Sequence, residues 1–147
     1  MLAQQEVPLE SSEPRRLRIL VVDDDPGMRA LCGALLEAEG FDVLEAADGR
    51  EGLARAFADD PDLVLCDIAM PVLDGFGLAV ALRHNAKTKR LPLVFLTAET
   101  EPYVERHAYD AGALGFFTKP FEPSMLTSFI RRALALPDRA AARVYAV

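Results

Sequence analysis

The strongest constraint in this 147-residue chain is an alternation that repeats five times: a short apolar run, then a segment whose apolar residues recur every three to four positions. The runs are four to six residues long, rich in Val, Leu, Ile or Phe, and closed by Asp, Gly or Pro, which marks them as strands. Strand followed by helix, five times over, joins each strand to the next through a helical crossover. That demands parallel strands, right-handed crossings and helices on both faces of one sheet. The expected fold class is α/β, a doubly wound five-stranded parallel sheet.

The character of the runs orders the strands. Leu17 to Val22, broken only by Arg18, Leu63 to Cys66, and Leu91 to Leu96 are continuously apolar, as strands covered on both faces must be. Phe41 to Ala46 carries Asp42 and Glu45 and suits an edge, and Gly115 to Phe117 is very short. The order 2-1-3-4-5 follows, with its switch point between strands one and three.

The helices announce their ends. Asp25 and Pro26 open the first, with Met28, Leu31, Cys32, Leu35 and Leu36 at helical spacing and Gly40 beyond its end. Asp48-Gly49 opens the second, with Leu53 and Phe57, and Asp59-Asp60-Pro61 breaks it. The third spans about Asp74 to Arg83 with Leu78, Ala81 and Leu82 inward, and the loop after it holds Lys87, Lys89 and Arg90, a solvated charge run. Tyr103, Val104, His107, Ala108 and Ala111 form the face of the fourth, and Leu126, Phe129, Ile130, Ala133 and Leu134 that of the fifth, which starts at Pro123. One domain over residues 16–136 is expected, between a mobile tail over 1–15 and a short tail over 137–147.

Composition excludes several classes. The formal charge of -7 argues against direct DNA binding, which draws on clustered Lys and Arg. No apolar run reaches the twenty or so residues that span a bilayer, and no basic-then-apolar leader opens the chain, so a cytoplasmic protein without membrane partners is expected. Cys32 and Cys66 lack metal-ligand spacing and read as core residues. His84 and His107 stand apart, without acidic or Cys companions at ligand spacing.

What the strand order gathers at one rim is more specific. Asp23 and Asp24 come beside Asp67 at the switch point, and Thr97 and Lys119 arrive from strands four and five. Crowded carboxylates repel unless a cation neutralises them, and hard oxygen ligands suit Mg²⁺, or Mn²⁺ in its place. A carboxylate can attack phosphorus to give an acyl phosphate, with a cation, an ammonium and a hydroxyl stabilising the added charge.

In that order the residues resemble the receiver domains of two-component response regulators, the CheY-like family. The resemblance covers about Arg16 to Leu136. It is carried by Asp23-Asp24 after Ile19-Leu20-Val21-Val22, by Asp67 with Met70-Pro71 and Asp74-Gly75, by Thr97-Ala98, and by Lys119-Pro120-Phe121. It implies a flavodoxin-like sheet in which Asp67 accepts a phosphoryl group from a sensor histidine kinase or a histidine phosphotransfer protein. Asp23, Asp24 and Asp67, with the backbone carbonyl of Ala69, would hold Mg²⁺, and Thr97 and Lys119 would contact the phosphoryl oxygens. A cis bond between Lys119 and Pro120 is also implied.

The resemblance further implies a switch in which Thr97 moves toward the phosphoryl group and Phe116 turns inward, although Phe116 lacks the hydroxyl of the Tyr often found there. The surface it biases, helix four, strand five and helix five, would receive a downstream protein or a second copy of the chain. Ala69 and Glu99 sit at positions that tune acyl-phosphate lifetime, and helix one, from Gly27 to Glu39, would select the kinase. On this view the chain is a signalling domain and not an enzyme beyond self-phosphorylation from small donors and self-dephosphorylation. Two alternatives stay open: a receiver that is part of a larger regulator, and an aspartyl-phosphate phosphatase of the haloacid dehalogenase type, whose motif opens like Asp23-x-Asp25.

Overall fold

The computed structural model describes residues 15–136. The strands are β1 (Arg18–Val22), β2 (Asp42–Ala46), β3 (Leu63–Cys66), β4 (Leu93–Thr97) and β5 (Gly115–Thr118). The helices are α1 (Pro26–Ala38), α2 (Gly49–Asp59), α3 (Gly75–Arg83), α4 (Pro102–Asp110) and α5 (Pro123–Ala133). The five strands form one sheet in the order β2-β1-β3-β4-β5, every pair parallel, as the apolar ranking of the runs requires.

Alternate residues of each strand feed two cores. Ile19 and Val21, with Leu65, Val94 and Leu96, pack under Cys32 and Leu36 of α1 and Leu126 and Ile130 of α5. Leu20 and Val22, with Val64, Cys66 and Phe95, pack under Ala56 of α2, Leu78 and Leu82 of α3, and Val104 and Ala108 of α4. Both cysteines are buried and unpaired, and burial pushes the Cys32 thiol up to about 11, which makes it a poor nucleophile or metal ligand at neutral pH.

Several helix faces differ from the sequence expectation, each in a way packing explains. β4 starts at Leu93, not Leu91, because Pro92 has no N–H to donate to a ladder. On α3 the third inward residue is Ala79, at 3% exposure, and Ala81 is half-buried. Tyr103 is 69% exposed and His107 is exposed too, since Val104 and Ala108 alone set the buried phase of α4. Leu31 of α1 is 48% exposed, beside the fully covered Cys32. The expected tails, residues 1–14 and 137–147, lie outside the described residues.

Helix ends are satisfied by the residues the sequence marks. The Asp25 carboxylate accepts from the Gly27 amide at 2.9 Å, and that of Asp74 accepts from Gly77 at 2.8 Å. At α2 the arrangement is reciprocal: Asp48 accepts from the Glu51 amide at 2.8 Å, and Glu51 accepts from the Ala47 amide at 2.6 Å. Asp48→Ala is expected to lower unfolding stability by about 1 kcal/mol in urea denaturation. No change in the midpoint would show that the pair contributes nothing.

The amino-terminal rim of the sheet is tied by ion pairs. Arg15 meets Asp62 at 3.0 Å, and Arg131 meets Glu39 at 2.9 Å while lying 5.5 Å over the Phe41 ring. Such half-exposed pairs contribute at most about 1 kcal/mol each. Among the described residues no helix is long and apolar enough to cross a membrane.

Candidate functional site

The opposite, carboxyl-terminal rim of the sheet gathers the polar chemistry. Residues 23 and 67 follow the last residues of β1 and β3, which are paired at Val22 and Cys66, so the two carboxylates are neighbours by register. One carboxylate oxygen from each of Asp23, Asp24 and Asp67 lies within 4.8 Å of the others. Asp23 is 3% exposed, Asp67 half-buried and Asp24 exposed, so the cluster runs from the interior to the surface.

Asp23 is fixed by four partners, the first being the Ala46 carbonyl, to which its amide donates at 3.1 Å. Its Oδ1 accepts from the Asp25 amide at 2.9 Å, and its Oδ2 from Lys119 Nζ at 2.9 Å. Its backbone carbonyl accepts from Arg29 Nη1 at 2.7 Å, while Arg29 Nε reaches Glu45 at 3.3 Å. Arg29 was not singled out from sequence: an exposed-looking Arg in the first turn of a helix gives no sign that it folds back on the preceding strand.

Asp67 receives less. Oδ1 accepts from the Ile68 amide at 2.7 Å, and Oδ2 lies 3.5 Å from Lys119 Nζ. Burial pushes the Asp67 carboxyl above its ordinary range; the Lys119 charge opposes this, the Asp23 charge adds to it, and the Ile68 and Thr97 hydrogen bonds oppose it. Burial would by itself lower the Lys119 ammonium, but its bond to Asp23 and the charges of Asp67 and Asp23 hold it above the ordinary value. One ammonium thus reaches two of three clustered carboxylates, and the surplus of negative oxygen donors fits a hard divalent cation.

Thr97 and Lys119 reach this rim through β4 and β5. Thr97, fully buried, ends β4 opposite Thr118, and the Lys119 amide donates to the Thr97 carbonyl at 2.8 Å. The Lys119–Pro120 peptide bond is cis. Phe116 is half-buried, packs against the core under α4, and shares a groove with Glu105, Phe117, Pro120, Glu122 and Met125. Ala69 is exposed in the loop after Asp67, and the amide of the half-buried Glu99 donates to Thr97 Oγ1 at 3.2 Å. Asp25, which a haloacid-dehalogenase motif would need in the cluster, has its carboxylate on the Gly27 amide instead.

The loop that follows Asp67 is unusual. Val72 has φ +74° and is 71% exposed, and the Leu73 amide donates to the Pro71 carbonyl at 2.8 Å, which closes a γ-turn around it. A β-branched residue in the left-handed region is an outlier that costs about 1–3 kcal/mol. The Gly75 amide, at the start of α3, donates back to the Ile68 carbonyl at 2.8 Å.

Comparison with known proteins places these features. A family profile described as the response regulator receiver domain matches residues 19–131. Protein PilH of Pseudomonas aeruginosa is 36% identical over 118 residues, 80% of this chain and 98% of PilH. The DNA-binding dual master transcriptional regulator RpaA of Synechocystis is 37% identical over 122 residues, 83% of this chain and 51% of RpaA. The chain thus spans about half the length of several relatives that it matches. Among solved structures, the chemotaxis protein CheY4 of Vibrio cholerae superposes with a TM-score of 0.75 at 36% identity, covering 80% of this chain and 98% of CheY4. The receiver domain of a sensor histidine kinase from Pseudomonas aeruginosa, solved with a magnesium ion in its active-site cleft, gives 0.76 at 28% identity, covering 82% and 99%.

Proposed function

This chain belongs to the response regulator receiver family of two-component signalling, and on that basis we propose that Asp67 accepts a phosphoryl group from a phosphohistidine of a sensor kinase or phosphotransfer protein. The observation that carries the assignment is the convergence of Asp23, Asp24 and Asp67 with Lys119 reaching two of them. A carboxylate oxygen of Asp67 forms the new P–O bond as the P–N bond breaks, and the electron pair of that bond stays on the imidazole nitrogen.

The neighbours divide the remaining work. Asp23, Asp24 and Asp67, joined by the Ala69 carbonyl, would hold Mg²⁺, which when bound neutralises the developing charge on the phosphoryl oxygens. Lys119 supplies a fixed positive charge on the other side, and Thr97 a hydroxyl at the end of β4 on the same rim. Asp67 has a low-dielectric, desolvated side and few hydrogen bonds, so its oxygen is left available as a nucleophile.

The output is a binding signal. Thr97 pairs with Thr118 of β5, and Thr118 and Phe116 line the groove that α4, β5 and α5 form, so a change at the acceptor can bias that surface. The phosphorylated state must offer a partner protein or second copy contacts the resting state lacks. Mg²⁺-dependent labelling by acetyl phosphate, retained by the wild type and located on Asp67 by mass spectrometry, tests the assignment; a label on Asp23 with rapid turnover would support the phosphatase instead.

Lifetime depends on what stands beside the acceptor. Ala69 carries no group to hold an attacking water, whereas an amide there does, so Ala69→Asn is expected to speed loss of the acyl phosphate. Decay followed after donor removal checks this, and an unchanged rate would count against it.

A further inference from the structure

The loop carrying Ala69 leaves β3 at Asp67 and enters α3 at Gly75, and its interior turn is held in a conformation that its own residues resist. Val72 at φ +74° gains nothing from burial, being 71% exposed, so something outside the turn must hold it. Leu73, the next residue, packs on the core under α2 and α3, and the backbone on either side of the turn is closely approached by two glycines. A Cβ placed on Gly49, the first residue of α2, would lie 2.1 Å from the Leu73 carbonyl oxygen and 2.8 Å from its carbon. A Cβ on Gly75 would lie 2.4 Å from the Asp67 carbonyl oxygen and 2.8 Å from the Ile68 Cα. Both approaches are backbone on backbone, which no rotamer change can relieve.

α2 is itself anchored. Asp48 and Glu51 close its first turn, and Gly52, one turn on, sits with room for only a 3.0 Å contact to Val22, the residue before Asp23. The start of α2 is therefore fixed to the strand that supplies two of the clustered carboxylates, and the acceptor loop rests against it. We infer that Gly49 is a positioning residue of the acceptor site: the α2 amino-terminus acts as a stop that keeps the strained Pro71–Leu73 turn, and through it the Asp67–Ala69 backbone, in register with Asp23 and Asp24. This rests on the phosphoacceptor assignment for its role in the reaction, and on the geometry alone for its role in the loop.

Three substitutions in the full chain test it, with Mg²⁺ itself as the probe. Gly49→Ala is expected to raise the Mg²⁺ concentration for half-saturation, followed by the amide shifts of Asp24, Ile68 and Ala69, at least about tenfold, and to slow acetyl-phosphate labelling, as a displacement near 1 Å at a reacting centre does. Ala56→Gly weakens the same helix without touching the loop and is expected to leave Mg²⁺ half-saturation within twofold, so an equal loss in that variant overturns the inference. Val72→Gly takes the same positive φ without strain, so it is expected to leave Mg²⁺ half-saturation of the otherwise wild-type chain within twofold and, combined with Gly49→Ala, to restore part of the lost affinity. Wild-type Mg²⁺ affinity in Gly49→Ala, or no recovery in the double variant, would also overturn it. The Mg²⁺ comparison does not depend on phosphoryl transfer. A wild-type chain that binds Mg²⁺ but takes no label would overturn the proposed function and leave the positioning role standing.

Discussion

Asp67→Asn is expected to abolish acetyl-phosphate labelling and, in metal-free protein near neutral pH, to raise the melting temperature. The second effect follows from the first residue's environment. Because burial raises the Asp67 carboxyl, the folded state holds its proton more tightly than the unfolded chain does. That group therefore favours folding below the usual carboxylate range and loses this contribution as pH rises through its folded value. Asn carries no such charge. The two proteins should melt together in acid, where both side chains are neutral, and separate in favour of Asn as pH increases. A variant that still labels elsewhere would remove Asp67 from its assigned role, and one that melts lower at neutral pH would show that the carboxylate is stabilised by its surroundings.

Lys119→Ala carries the other large expected effect, and it acts through charge and not through the attacking atom. Loss of a positioned cation or donor at the transition state costs on the order of 10²–10³ in rate, so labelling should fall by that much while the small amount of product still forms on Asp67. The same change leaves Asp23, 3% exposed, with its Asp25 and Arg29 contacts but no ion pair. Removing one partner of a buried pair costs about 3–5 kcal/mol when the remaining charge has no relief, and Mg²⁺ supplies relief here. The variant should be unstable in chelator and recover most of its melting temperature on Mg²⁺ addition. Wild-type labelling rates in Lys119→Ala would mean that the ammonium is an ion-pair partner and nothing more.

Strand order and the polar rim were legible in the sequence because both depend on periodicity and on position along a strand. Continuous apolar runs distinguish interior parallel strands from edges, and Asp23, Asp67, Thr97 and Lys119 stand just where those runs stop. Helix faces were harder. A stripe such as Met28, Leu31, Cys32, Leu35 and Leu36 is wider than the contact it makes, and spacing cannot say that Leu31 falls outside it. Tyr103 failed for the same reason at the start of α4.

Arg29 and Gly49 were illegible for a different reason. What ties them to the site is a backbone carbonyl, of Asp23 for Arg29 and of Leu73 close to Gly49, and a carbonyl has no residue type to read. Thr88 belongs with them: it is 3% exposed and donates to the Leu82 carbonyl at 2.7 Å, inside a charge run that otherwise reads as solvated loop. Lys87 in that run also folds back, onto the Phe57 carbonyl and Asp60.

The parallel sheet divides the molecule into two ends with unequal duties. Asp23, Asp67, Thr97 and Lys119 all sit at strand carboxyl ends, while Arg15, Arg16, Leu17, Arg131 and Leu136 surround one hollow at the amino rim. The first and last described residues therefore share the end opposite the carboxylate cluster. A reporter joined directly at Arg15 or Leu136 would start from that end, about a strand length from Asp67 and away from the carboxylate cluster.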